Sequence, residues 1–300
     1  MSPRPPHSFR HLAPAVVLAL AAALACAAHA QQTPAASSPG ATPAAGSSAP
    51  AGASDADLAK QLSNPLASLV SVPFQFNWEQ GVGYQDGTRT ILNVQPVVPF
   101  ELNDKWNLIG RWIMPFVSQP PLTPGSESSY GLSDILFSGF FAPRETKSGL
   151  IWGVGPALSL PMTSDPTLGS GQWSAGPTFV MLKESGHWTY GFLANQLWSF
   201  QATSDADRAK VNKTFIQPFL SYNTPHAVTF TVQSEATYDH EAASGQKWTV
   251  PINFLVSKVS RFGPFPFQMG GGWGYFVDSP DIGPDRKIRV VFAILLPRGK

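Results

Sequence analysis

The chain is 300 residues long with a formal net charge of +1, and 13% of its residues are charged while 12% are aromatic. That charge content is low for a soluble protein, and nothing in it points to a nucleic-acid-binding surface. Cys26 is the single cysteine and lies in the N-terminal leader, so its removal excludes disulfide frameworks and thiolate metal sites.

Arg4 and Arg10 precede an apolar stretch over 12–25, which ends at Ala28-His29-Ala30, an A-x-A cleavage site. Residues 1–30 therefore read as a signal peptide, too short and Ala-rich in its apolar part to span a bilayer well. A lipoprotein signal is the rival reading, since Cys26 follows Ala23-Leu24-Ala25, although alanine is a poor residue three before such a cysteine. Residues 31–54 are almost entirely Ala, Pro, Ser, Gly and Thr, and are expected to be a disordered leader.

Over 55–70 the pattern is helical. Leu58, Leu62, Leu66 and Leu69 recur at helix spacing, and Asn64-Pro65 interrupts them as a cap followed by a first-turn proline. The segment predicts a short helix or helix-turn-helix, with three placements open to it: under a barrel, inside its lumen, or at the membrane surface.

From Ser71 onward the period changes to two. Val72, Phe74, Phe76 and Trp78 alternate with Gln75, Asn77 and Glu79, which is a strand with one apolar and one polar face. About a dozen such segments follow. Trp106, Leu108, Trp112, Met114 and Phe116 oppose Asn107 and Arg111; Val228, Phe230 and Val232 oppose Gln233 and Glu235; Ile288, Val290, Phe292, Ile294 and Leu296 oppose Arg289. Short links near 103–104, 144–148, 185–186, 224–225 and 263–264 alternate with longer polar loops over 80–88, 118–130, 163–171, 203–210, 239–246 and 278–285. That is the mark of short periplasmic turns and longer outside loops. Tryptophans and tyrosines near strand ends, such as Trp78, Trp106, Trp188, Tyr222, Tyr238 and Trp248, fall where aromatic girdles belong. No stretch after the leader is apolar for about 18 residues, so a membrane-spanning chain must be a closed barrel. The predicted fold is all-β: a transmembrane antiparallel up-and-down β-barrel of about twelve strands over 71–300, preceded by the short helical segment.

Six prolines resist that reading. Pro96, Pro115, Pro156, Pro177, Pro218 and Pro251 fall inside predicted strands, where a residue without an N–H belongs at edges, strand starts or bulges. A barrel has no edges, so they are assigned to bulges or to strand sections beyond the membrane. A secreted β-sandwich is the alternative they favour.

Seven motifs carry a resemblance: QLSNPLASLVSVPFQFN (61–77), NVQPVVP (93–99), WNLIGR (106–111), GLSDI (131–135), WGVGP (152–156), GPT (176–178) and QPFLSY (217–222). They resemble a family of bacterial outer-membrane proteins often mislabelled neuromedin U-like, related to the outer-membrane proteins of the meta-pathway of phenol degradation. The resemblance implies a β-barrel in the bacterial outer membrane, a role in passage of small or hydrophobic compounds, and no catalytic residues. The tail at 295–300 departs from the usual barrel-assembly signal because it does not end in an aromatic residue.

The polar strand faces supply the candidate lumen residues: Asn93, Gln95, Arg111, Asp134, Gln233, Glu235, Asn253 and Arg289. Charges of both signs there form either a brace across the lumen or a constriction that filters solutes. For a constriction, Arg111, Asp134 and Glu235 are the leading candidates. Loop acids, among them Glu79, Asp86, Asp165, Asp205, Asp207 and Asp239, read as solvated loops or as divalent-cation contacts with lipopolysaccharide. Asp205, Asp207 and the adjacent Asp239-His240 loosely echo a barrel-protease dyad, but neighbouring residues on a strand face opposite ways. His187, His226 and His240 lack a second ligand at metal-binding spacing. No catalytic, metal or cofactor site is predicted. The expected partners are outer-membrane lipid and lipopolysaccharide, a small-molecule solute and the barrel-assembly machinery, with no nucleic acid. Two functions stand open: a passive channel for small, hydrophobic or aromatic compounds, and a plugged structural or surface-binding barrel. About twelve strands leave a narrow or partly occluded lumen, and the Gly270-Gly271-Gly272 and Gly274 run lets the wall bend or another segment approach.

Overall fold

Antiparallel pairing runs round the molecule and returns to its start: the last strand pairs with the first, as Val70↔Leu296 through Gln80↔Arg286. The computed structural model describes residues 53–146, 149–203 and 208–296. The signal peptide, nearly all of the Ala/Pro/Ser-rich leader and the C-terminal 297–300 lie outside the described residues. The fifteen hydrogen-bonded segments are β1 (Val70–Val82), β2 (Gly87–Val94), β3 (Val97–Glu101), β4 (Trp106–Gln119), β5 (Ser129–Leu132), β6 (Ile135–Pro143), β7 (Leu150–Leu160), β8 (Gln172–Ser185), β9 (Trp188–Ala202), β10 (Asn212–Asn223), β11 (Val228–Ser234), β12 (Ala236–Asp239), β13 (Trp248–Phe262), β14 (Phe265–Asp278) and β15 (Arg286–Leu296). Three pairs, β2 with β3, β5 with β6 and β11 with β12, are single strands interrupted by one or two residues, so the wall is a closed twelve-stranded barrel.

The wall is apolar outside, and its inner face is polar over part of its height and apolar over the rest. On β15 the even positions Ile288, Val290, Phe292, Ile294 and Leu296 are exposed outward, while Lys287, Arg289, Ala293 and Leu295 are buried inward. Trp78, Phe116, Trp198, Phe254, Met269 and Trp273 continue the exposed apolar surface round the circumference. That inversion of the usual burial pattern is the surface of a barrel solvated by lipid. Aromatic pairs cluster near both ends: Trp106 with Trp152 and Trp188 with Tyr222 at one, Trp273 with Tyr275 and Tyr238 with Trp248 at the other.

The prolines sit in the wall partly as expected and partly by another route. Pro251 alone of the six lies at a bulge, and Pro96 lies at the break between β2 and β3. Pro156 and Pro177 face each other across β7 and β8. The neighbouring ladders skip their positions, β6–β7 passing from Ala157 to Val154 and β8–β9 from Ala175 to Thr178. Each proline thus spends its missing donor on the side away from its partner, where an antiparallel ladder can omit one bond. The first hairpin also differs from expectation. The predicted loop over 80–88 is a tight turn, with β1 running to Val82 and positive φ at Gly81, Gly83 and Asp86.

The helix α1 (Asp55–Leu62) is shorter than the 55–70 predicted. Ser54, counted with the leader, is its N-cap: Ser54 Oγ accepts from the Asp57 amide at 3.2 Å and Asp57 Oδ2 from the Ser54 amide at 3.3 Å, a reciprocal capping box. No second helix follows. Asn64 Oδ1 accepts from the Leu66 amide at 2.9 Å and holds a turn that leads into β1.

Candidate functional site

Of the three placements open to the N-terminal segment, the lumen is the one it takes. Leu58, Ala59 and Leu69 are buried against the inward side chains Ala227, Val259, Ala293 and Leu295. Leu66 joins a second cluster with Ile109, Phe140, Val180, Leu182, Leu193 and Phe219 from the opposite wall. Gly153 makes room for it, since a Cβ there would stand 3.2 Å from Leu66 Cδ1. Polar ties complete the seat. Lys60 Nζ lies 3.5 Å from Glu184 Oε2, Asn64 Nδ2 donates to Glu184 Oε1 at 3.1 Å, and Ser63 Oγ donates to Asn223 Oδ1 at 2.9 Å. Arg261 pairs with Asp55 at 2.5 Å at the rim. Burying a leucine contributes roughly 1.5–3 kcal/mol, whereas an exposed ion pair contributes about 0–1 kcal/mol. The leucines therefore dominate, and one end of the barrel is filled.

Past this plug the inward residues turn polar. Glu235, at the break between β11 and β12, accepts from Arg289 Nη1 and Nη2 at 2.8 Å each and from Lys287 Nζ at 3.0 Å. Arg289 Nε donates to Asn77 Oδ1 at 2.6 Å. Gln233 Nε2 donates to Glu235 Oε1 at 3.2 Å, and Gln217 Nε2 to Gln233 Oε1 at 3.2 Å. A bidentate arginine–carboxylate pair is both strong and geometrically fixed. Gly274 permits the cluster: a Cβ there would collide with Asn253 and stand 3.0 Å from Lys287 Cγ. Asn253 is buried beside it with neither carboxamide atom hydrogen-bonded among the described residues.

A second group faces this one. Arg111 Nη2 donates to Gln95 Oε1 at 2.9 Å, Gln95 Nε2 to Gln75 Oε1 at 2.8 Å, and Asn93 Nδ2 to Gln75 Oε1 at 3.3 Å. Turned over, the Gln75 amide would accept from Arg289 Nε at 3.0 Å and Nη1 at 2.9 Å. It would then present its NH2 to Gln95 Nε2. Gln95 would have to turn as well and withdraw its oxygen from Arg111. The two glutamines can present a carbonyl oxygen to one arginine at a time.

Seven of the eight predicted lumen residues, Asn93, Gln95, Arg111, Gln233, Glu235, Asn253 and Arg289, thus lie together as a belt across the barrel. Asp134 does not join them. Its Oδ2 accepts from Ser170 N at 2.7 Å and Ser170 Oγ at 2.6 Å, which fastens the 161–171 loop to the wall. Its place at the β5–β6 break puts it beside that loop, away from the Glu235 cluster. Lys287, Gln75, Asn77 and Gln217 are belt members that sequence reading passed over. Lys287 shares the parity of Arg289 and was legible from it, whereas Gln217 lies in a strand whose facing the prolines obscured. Glu79, counted among the loop acids, points inward and pairs with Arg89 at 2.6 Å.

Among the other loop residues, Asp239 pairs with Lys213 at 3.3 Å while His240 Nε2 meets Thr214 Oγ1 at 2.9 Å, so the two side chains diverge. Asp205 and Asp207 lie outside the described residues. Among the described residues no cluster of three His, Cys, Asp or Glu could hold a metal. Asp165 stands in the 161–171 loop, and hydrogen bonds from the Thr167 hydroxyl and amide hold its carboxyl below the usual range.

Between plug and belt lies a cavity of about 270 Å³. Leu69, Leu193, Phe219 and Leu255 line its apolar part, and Gln75, Gln95, Arg111 and Gln217 its polar part.

No protein-family model matches the chain, and no curated protein does. Solved structures do. An outer membrane channel from Pseudomonas putida F1 superposes with a TM-score of 0.60 at 14% identity, covering 76% of this chain and 96% of that one. The NanC porin follows at a TM-score of 0.46 and 12% identity over 75% of this chain and 98% of its own. Outer membrane phospholipase A from Escherichia coli stands at 0.41 and 11%, over 75% and 95%. The first likeness speaks to the fold, and the other two are too distant to carry an argument. The chain has the fold of bacterial outer-membrane β-barrels.

Proposed function

We propose that this protein is an outer-membrane channel for small solutes, hydrophobic or aromatic ones among them, whose passage depends on its N-terminal segment. The observation that carries the reading is the lumen itself. A polar, charged belt crosses a closed barrel, and a separable chain segment, not the wall, fills the end beyond it. Buried charges serve no purpose toward lipid, so their inward focus supports a path for solute. The solved channel from Pseudomonas putida F1, which shares the fold, supports it too, as does the family resemblance of the seven sequence motifs. On this reading the loop end faces lipopolysaccharide, the helix end faces the periplasm, and assembly machinery inserts the barrel. No catalytic role is proposed.

A plugged structural barrel is the second reading, favoured by the complete burial of Leu58, Ala59, Leu66 and Leu69. Conductance of the refolded protein in a planar bilayer decides between them, with and without residues 55–69. Steps from the full chain, or from the truncated chain alone, support a channel, the second result making the segment its gate. Silence from both, with β-rich circular dichroism, supports the structural barrel.

A further inference from the structure

The charges of the belt do not balance. Glu235 is claimed by Lys287 and Arg289, and Glu79 by Arg89. Arg111 has no carboxylate within 4.0 Å among the described residues, and among them its hydrogen-bond partner is the Gln95 amide. Four cations thus meet two carboxylates, and the surplus is expressed at Arg111, which lines the cavity together with Glu235, whose carboxylate is already held by Lys287 and Arg289. That Gln95 oxygen is itself contested, because the Gln75–Gln95 pair can serve Arg289 instead. A guanidinium in a low-dielectric lumen with one shared amide acceptor is an incomplete pair, and a carboxylate completes it best.

The rest of the cavity sets the remainder of the ligand. Opposite Arg111 the wall and plug offer Leu69, Leu193, Phe219 and Leu255, a surface that takes hydrocarbon. A volume of about 270 Å³ lies below the ~300 Å³ at which pockets for drug-sized ligands begin. A single unclaimed cation matches a monoanion, not a dianion, and the positive surplus repels amines.

We propose that this cavity binds a small amphipathic monocarboxylate, its carboxylate on Arg111 and its apolar body against Phe219, Leu193 and the plug. The inference rests on the channel reading and names what the lumen takes, yet its test reads binding and not passage, so each can fail alone. Calorimetric titration of the full-length protein in detergent, with heats of micelles alone subtracted, compares benzoate, its neutral analogue benzamide, and acetate. The expected result is benzoate binding at least tenfold tighter than either, with R111Q losing at least tenfold for benzoate and little for benzamide. R111K, which keeps a point charge but not the planar fork, should fall between. Equal affinity for benzoate and benzamide, or for benzoate and acetate, overturns the proposal, as does undiminished benzoate binding by R111Q or no binding at all. Should R111Q fail to fold, the three-ligand comparison on the unaltered protein still decides.

Discussion

Glu235 and Arg289 lie 54 positions apart in sequence and form a bidentate pair, both contacts 2.8 Å, across the inside of the barrel. Glu235 reaches this position from the break between β11 and β12, and Arg289 from the middle of β15. Lys287 and Asn77 hold the pair from either side.

Removing one partner leaves the other charge uncompensated. E235Q should lower stability by roughly 3 kcal/mol, toward the lower end for a buried pair because the Glu235 side chain remains 21% exposed. Urea titration in lipid vesicles measures this. The double variant E235Q/R289Q should cost less than the two single changes added together. Strict additivity would mean that the pair is not coupled.

The plug depends on its leucines more than on its ion pairs. L66D places a carboxylate among Ile109, Phe140 and Val180 and should expel the segment, raising bilayer conductance above that of the unaltered protein. K60Q, which breaks a half-buried pair, should leave conductance within the scatter of replicate bilayers. Equal traces from L66D and the unaltered protein would show that the seat of Leu66 does not control the lumen.

Gly153 tests the same seat from the wall. A Cβ added there would stand 3.2 Å from Leu66 Cδ1 and 3.2 Å from Phe140 Cβ, so G153V should displace the leucine. Overpacking of this kind costs about 1–3 kcal/mol. Limited proteolysis of the folded barrel should then cut near 55–69 faster than in the unaltered protein; an unchanged rate would show that the site absorbs a valine.

Asp134 anchors a loop, and the expected outcome is that it takes no part in filtering solutes. D134N keeps an acceptor for the Ser170 amide, while D134A removes it. D134A should therefore speed proteolysis within 161–171, and D134N should do so less. Ion selectivity, read as reversal potential, should stay constant in both. A shift in selectivity with D134N would return the residue to the constriction.

Asp165 gives the same loop a pH dependence. Its folded-state pKa is depressed by Thr167, so its contribution is present above the ordinary carboxylate pKa and is lost as pH falls through the lower, folded value. The Thr167 amide, which donates to Asp165 Oδ1 at 2.8 Å, should lose hydrogen-exchange protection over that acid range after correction for intrinsic rates. In D165N the dependence should vanish.

Much of this architecture was written locally. The alternation of Ile288 to Leu296 against Lys287 and Arg289 is set by the two-residue period of a strand, so outward and inward faces could be assigned from neighbours alone. The number of strands followed from counting turns, and seven of eight lumen candidates followed from parity. Parity, however, carries no information about height in the barrel or about which strands meet across it. Asp134 and Glu235 look alike in sequence, each on the polar face of a strand, yet one ties a loop and the other pairs with Arg289. Glu79 fitted both the polar face of the first strand and the list of loop acids, and the tight first hairpin decided for the strand. The leucines at helical spacing over 58–69 announced a buried face but not its partner. That was decided when the closed wall brought Phe140, Val180 and Leu295 round to meet it, because long-range packing depends on shear and closure, which no local pattern encodes.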